Sequence, residues 1–179
     1  MVKLIRPYVV GYNQPATKCK TISKQEIEDA IKTRARKYNQ IIHGSAALKA
    51  QIGKFAREPH DIDVLTSKPR YHMDKMEDRL DAMAGCDAYD ELVMPIVGTE
   101  GEKVYKVVKK TFGPNRDIVD YFELKKGTKI KKIKGVWYED WKYAKKILQG
   151  IIANPQLRHR HGKAIEDLRR IEAYERSLK

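Results

Sequence analysis

Two aspartates one residue apart, Asp61 and Asp63 in His60-Asp61-Ile62-Asp63-Val64-Leu65, follow a Gly44-Ser45 step. Strand alternation puts both carboxylates on one face, about 7 Å apart, with Ile62 and Val64 on the other. Like charges on one strand face repel, so the pair costs stability unless a cation joins it. A hard, oxygen-seeking ion such as Mg²⁺ is the natural partner. Upstream, the aliphatic pair Ile41-Ile42 runs into His43-Gly44, and Ser45-Ala46-Ala47-Leu48-Lys49-Ala50-Gln51 is rich in helix formers. Ser45 is expected as the N-cap of that helix. A glycine beside it lets backbone approach a ligand closely, and the free amides of a helix start favour an anion. A helix start for phosphates and a carboxylate strand for metals describe one nucleotide site.

A hydrophobic-Gly-Ser turn followed by an Asp-x-Asp strand resembles the signature of the nucleotidyltransferase superfamily with a polymerase-beta-like palm. Fifteen residues separate Ser45 from Asp61, a little more than is usual there, which implies an extended loop near residues 55–59. The resemblance implies an α/β (α+β) fold, a mixed sheet flanked by helices with a C-terminal helical pair. It also implies a third carboxylate on a neighbouring strand. Residues 104–108 and 117–122 flank Gly113-Pro114-Asn115-Arg116, a hairpin signal. Alternation sets Asp117, Val119 and Tyr121 on one face and Ile118, Asp120 and Phe122 on the other, so only one acid is expected to point into the site. Asp120, mid-strand, resembles the family's third position, and Asp117 is assigned to the solvated strand start.

The chemistry this implies is transfer of NMP from an NTP. Asp61, Asp63 and Asp120 would be the catalytic, metal-ligating set for two Mg²⁺ or Mn²⁺ ions, with the outer phosphates on Gly44 and Ser45. The acceptor hydroxyl attacks the α-phosphorus and pyrophosphate leaves. A softer resemblance covers Ala144-Lys145-Lys146-Ile147 and Lys163-Ala164-Ile165-Glu166-Asp167-Leu168, where small members of the superfamily carry a lysine-bearing helix and then an acidic segment. It suggests Lys145 and Lys163 as phosphate-facing cations, although Ala164 stands where an acid is common; surface lysines on amphipathic helices are the plain alternative.

Charge bears on the acceptor. The chain carries +13, and residues 125–179 hold sixteen Lys/Arg against six Asp/Glu, a net of +10. Such a field attracts polyanions and favours RNA, such as a tRNA 3′ end. A protein- or small-molecule-modifying nucleotidyltransferase and a non-catalytic nucleic-acid-binding module on a decayed palm are the competing readings. A sugar transferase using Asp-x-Asp predicts a larger chain and no Gly-Ser turn. No Walker loop or nucleophile elbow is present. His43 is read as lying near the phosphates or as a structural histidine, and Trp137, Tyr138, Tyr143, Tyr8 and Tyr12 as base-stacking or ordinary core aromatics.

The elements that must position these groups follow from length and periodicity. At 179 residues the chain can bury one sizeable core. The expected division is a palm with an N-terminal helix over residues 1–135 and a basic helical extension over 136–179. No apolar run approaches a membrane span and no signal peptide is legible, so a cytoplasmic location is expected. Cys19 and Cys86 are expected as unpaired thiols in a reducing compartment. Helices are predicted over residues 23–37 (capping box Ser23/Glu26), 71–83 (apolar stripe Met73, Met76, Leu80, Met83; closed by Gly85), 141–153 and 164–178. Short strands are expected over 92–97 and within 125–134, the latter with its lysines outward as an edge.

Overall fold

The computed structural model describes residues 19–111 and 116–179. Its elements run α1 (Lys24–Lys37), β1 (Ile41–His43), α2 (Gly44–Ile52), β2 (Ile62–Thr66), α3 (Pro69–Ala84), β3 (Tyr89–Pro95), β4 (Lys103–Lys109), β5 (Asp117–Glu123), β6 (Ile130–Ile133), β7 (Val136–Glu139), α4 (Trp141–Ala153) and α5 (His161–Ser177). The strands form one mixed sheet of seven in the order β3-β4-β5-β2-β1-β7-β6. β2 runs antiparallel to β1 and parallel to β5, while β7 runs parallel to β1. The two elements carrying the Gly-Ser and Asp-x-Asp motifs are therefore neighbours at the centre of the sheet.

Local chemistry accounts for the helices. Ser23 and Glu26 form the expected capping box, the Glu26 N–H donating to Ser23 Oγ at 3.2 Å and the Ser23 N–H to Glu26 Oε2 at 2.8 Å. Pro69 occupies the first turn of α3, and Gly85 ends it in the left-handed region at φ 70°. α4 starts where Asp140 accepts from the Lys142 and Tyr143 amides, and α5 is preceded by a 3₁₀ turn, Pro155–Arg160, in place of an open loop.

The main core lies between one sheet face, with Ile42, Val64, Val107, Val119 and Tyr121, and the helices α1 (Ile27, Ile31, Ala35) and α3 (Met73, Met76, Leu80, Ala84). The α3 methionines are core, as their spacing predicts. A second core joins Leu48 and Ile52 of α2 to Trp141 and Ala144 of α4 and Ile171 of α5. The C-terminal helices are thus packed onto the helix that follows Gly44, which brings their basic ends toward that turn. The edge strands are β3 and β6, and β6 is exposed with its lysines outward as expected.

One expectation is overturned here. Cys19 and Cys86 are disulfide-bonded, with Cα atoms 5.5 Å apart. Although 67 residues separate them, the Lys20 amide donates to the Ala84 carbonyl at 2.9 Å and lays the segment before α1 along the end of α3. Closing a loop of that length stabilises the fold by about 4 kcal/mol in the chain-entropy picture. The inference of a reducing compartment from unpaired thiols does not stand. Among the described residues no helix is long and apolar enough to cross a membrane.

Candidate active site

β1 ends at His43, whose register partner on β2 is Asp63, whose partner on β5 is Asp120. Three adjacent strands thus carry the Gly44 turn and two carboxylates across the sheet at one level. Gly44 opens α2 at φ +64°, a conformation L side chains rarely adopt, and a Cβ there would overlap Asp63 Oδ2. The glycine is required both for its backbone angle and for the closeness of the turn to Asp63. Asp61 lies in the bend just before β2 and not within the strand.

Ser45 is not the helix cap. His43 holds that position without a side-chain cap bond, and Ser45 falls inside the first turn of a helix that begins at Gly44. Ser45 Oγ is buried without a hydrogen-bond partner, as are His43 Nε2 and Asp120 Oδ1. His43 packs edge-on against Phe122, ring centroids 5.1 Å apart. Burial, reinforced by the positive charge of Arg160, lowers its pKa to about 4.

β5 overturns the assignment of only one acid to the site. Its register with β4 slips between Val107 and Val108, so that Val107 faces Val119 but Val108 faces Asp117. Ile118 is the extra residue of a β-bulge, which turns Asp117 to the same face as Asp120. Lys106, opposite Asp120 on β4, binds both, its Nζ lying 2.6 Å from Asp117 Oδ2 and 2.7 Å from Asp120 Oδ2. One oxygen each of Asp61, Asp117 and Asp120 lies within 4.8 Å of the others. The turn preceding Arg116 lies outside the described residues.

The electrostatics are those of a crowded acidic centre. Burial and the Asp61 charge push Asp63 up to about 6, against the pull of Lys163, Lys106 and Arg160. Burial raises Asp120 to about 7, with Lys106 pulling it down and Asp63 and Asp61 pushing it up. A further carboxylate escaped the sequence reading: Glu139, at the end of β7, is buried and is raised to about 7 by burial and by Asp63, with the Gly44 amide pulling the other way. Lys106 keeps its proton more firmly than an ordinary lysine, since its bonds to Asp117 and Asp120 outweigh its burial. Five carboxylates, Asp61, Asp63, Asp117, Asp120 and Glu139, crowd around the Lys106 ammonium.

Lys163 and Arg160, at the start of α5, are close enough for their charge to act on Asp63. Lys145 is bonded to Glu175 at 2.6 Å, an α4–α5 contact. α5 is anchored on the loop before Asp61 by the buried pair Arg57–Asp167, 3.1 Å from Nε to Oδ1. Arg160, Lys106, Asp117 and Glu139 are the neighbours that the motifs alone did not reveal. For Lys106 the signal lay in its own strand, where it is the polar member of Val104-Tyr105-Lys106-Val107-Val108 opposite an acid-bearing one.

No protein-family model matches the chain, and no curated protein sequence matches it. Solved structures do. The Megavirus polyadenylate synthase superposes with a TM-score of 0.61 at 17% identity, over 85% of this chain and 31% of its own. JHP933 from Helicobacter pylori (TM-score 0.48, 14% identity, 81% of this chain and 62% of its own) and ANT(2″)-Ia in complex with adenylyl-2″-tobramycin (0.44, 15%, 87% and 90%) are more distant. The chain has an α+β fold, a seven-stranded mixed sheet with helices, that it shares with the part of the Megavirus polyadenylate synthase it superposes on. It spans about a third of the length of the Megavirus enzyme.

Proposed function

We propose that this chain is a nucleotidyltransferase that uses Mg²⁺ or Mn²⁺ to move NMP from an NTP to an acceptor hydroxyl, with RNA as the acceptor. The observation that carries this reading is the aligned row of the Gly44 turn, Asp63 and Asp120 across β1, β2 and β5. A turn that must be glycine is set against a carboxylate that shares its level with a second.

The residues fit hard divalent ions. All the candidate ligands are carboxylate oxygens, Asp61, Asp117 and Asp120 converge within 4.8 Å, and Asp120 Oδ1 is buried without a partner. When bound, such ions neutralise triphosphate charge and acidify the acceptor hydroxyl. Asp61, Asp63 and Asp120 are the residues we assign to hold them. Gly44 and Ser45 present the α2 N-terminus to the outer phosphates, with the unpartnered Ser45 hydroxyl as a further donor. Lys163 adds positive charge on the same side, and Lys145 can join it by leaving Glu175. The acceptor oxygen bonds to the α-phosphorus as the bond to pyrophosphate breaks.

An RNA acceptor is supported by the +13 net charge and by the fold shared with a protein that is a polyadenylate synthase. The test is to incubate the purified chain with each labelled NTP, Mg²⁺ or Mn²⁺, and pools of RNA, protein and small molecules. Label in RNA that is lost in Asp61→Ala and Asp63→Ala, both still folded, supports the assignment. Label in protein or small molecules moves the acceptor, and full turnover by either variant removes the site.

A further inference from the structure

At the end of the sheet away from these carboxylates, the last turn of α1, the start of α3 and the β6–β7 hairpin bring cations and aromatic rings into one stripe. β1 runs from Ile41 toward His43 and β2 from Asp63 toward Thr66, so the end of α1 and the start of α3 share the far end, about 10 Å along the strands from Asp63. β7 runs parallel to β1, which places the turn at Lys134 and Gly135 there too.

The pieces touch. Arg36 Nη2 donates to the Lys134 carbonyl at 3.4 Å, joining α1 to the hairpin. Lys37 Nζ lies 5.3 Å from the centre of the Tyr38 ring, and the Arg34 guanidinium lies 4.7 Å from that of Tyr38 and 5.9 Å from that of Tyr71. His72 packs against both tyrosines, with centroids 5.3 and 5.1 Å away. On the hairpin, Lys132 Nζ stands 5.0 Å over Trp137, on the sheet face opposite Val136 and Tyr138, which pack with α1 and α3. Tyr38 and Tyr71 are 39% and 46% exposed.

Charge gives the stripe its direction. Lys131, Lys132, Lys134, Arg36, Lys37, Lys68 and Arg70 are exposed. Among the described residues the ion pairs lie elsewhere: neither these cations nor Arg34 has a carboxylate in salt-bridge range. Outside the stripe some surface lysines, Lys20, Lys49, Lys75, Lys110 and Lys125, are paired, while others such as Lys54, Lys126 and Lys142 are not, so it is the aromatic rings between the cations that set the stripe apart. A run of unpaired cations interleaved with open aromatic faces suits a polyanion whose flat groups are free to stack.

We propose that this stripe binds single-stranded RNA, its phosphates on the lysines and arginines and unstacked bases on Tyr38 and Tyr71, as an anchoring surface distinct from the carboxylate site. The inference rests on the RNA-acceptor reading, and it is tested without nucleotide so that the two fail separately. Fluorescence anisotropy of a labelled single-stranded RNA is measured in the absence of NTP for the wild type and three variants. Lys131→Glu/Lys132→Glu and Tyr71→Ala are expected to weaken binding about tenfold or more, the first also flattening the salt dependence. Arg176→Glu/Lys179→Glu carries the same change in net charge outside the stripe and is expected to bind nearly as the wild type; thermal unfolding checks that each variant is folded. Equal weakening by both charge swaps, wild-type binding by Tyr71→Ala, equal affinity for duplex RNA, or preference for anionic vesicles would each overturn the proposal. Loss of transfer with stripe-dependent RNA binding intact would instead count against the catalytic reading alone.

Discussion

Gly44 and Asp63 are packed so closely that a single methyl group on the first would occupy the space of the second's carboxylate oxygen. The contact joins the two halves of the motif at one point, and nothing but hydrogen fits between them. Gly44→Ala meets two penalties, a left-handed φ worth about 1–2 kcal/mol and displacement of Asp63. We expect a loss of about 1–3 kcal/mol in stability and loss of nucleotidyl transfer well beyond that, measured by thermal unfolding beside a transfer assay. A variant as active as the wild type would show that Asp63 need not stand where it does.

Lys106 is the one cation that bonds directly to the carboxylates of this centre among the described residues, contacting Asp117 and Asp120. Removing it as Lys106→Met strands Asp120 buried without its partner, and breaking a buried pair in this way costs about 3–5 kcal/mol. Mg²⁺ or Mn²⁺ is expected to raise the unfolding temperature of this variant more than that of the wild type, because an added cation replaces the missing ammonium. Differential scanning fluorimetry with and without metal reads this directly. A metal response identical to the wild type's would mean that the carboxylates do not share the ion.

Much of this centre was legible in the chain. Gly44, Asp61 and Asp63 stand in a local motif, and Asp120 sits on a strand whose alternation is unbroken from Val119 to Phe122. The helices were legible because capping and apolar spacing are also local, and α4 covers the same residues, Trp141–Ala153, that its periodicity marks. What was hidden depends on register. The bulge at Ile118 is one extra residue in β5, set by its pairing with β4, and it decides whether Asp117 belongs to the site. Glu139 reaches the site only because β7 lies beside β1, a parallel pairing between segments almost a hundred residues apart that no local pattern encodes. The Cys19–Cys86 bond depends in the same way on where the segment before α1 crosses the end of α3.

His72 supplies a pH dependence. Burial lowers its pKa to about 4, with Arg34 of α1 and Lys68 adding to the effect; Tyr121 of β5 stacks on its other side and Tyr38 and Tyr71 pack around it. The folded protein therefore binds fewer protons than the unfolded chain between about 4 and 6.5, so stability rises with pH across that window and is lost as pH falls through it. His72→Gln is expected to flatten this limb of the stability–pH curve while leaving the part due to His43, which is lowered to about 4 as well. Urea unfolding at a series of pH values compares the two slopes. Parallel curves would show that His72 is protonated in the fold.

Arg57 and Asp167 tie the loop before Asp61 to α5, 3.1 Å apart and largely buried. Their pairing holds the helix that carries Lys163 near Asp63. Arg57→Met leaves Asp167 buried, where burial already raises its pKa against the pull of Arg57, and a cost of about 3–5 kcal/mol is expected. The double variant Arg57→Met/Asp167→Leu removes both charges, and most of that stability should return because no uncompensated charge remains. If the pair only stabilises the fold, the double variant regains nucleotide affinity together with stability. If it also sets the position of Lys163, the double variant refolds but binds NTP more weakly, and titration with a non-hydrolysable NTP analogue separates these outcomes. We expect the second, because α5 meets this loop at the same turn from which Lys163 acts on Asp63, and an apolar pair does not fix a helix in rotation as a hydrogen-bonded guanidinium does.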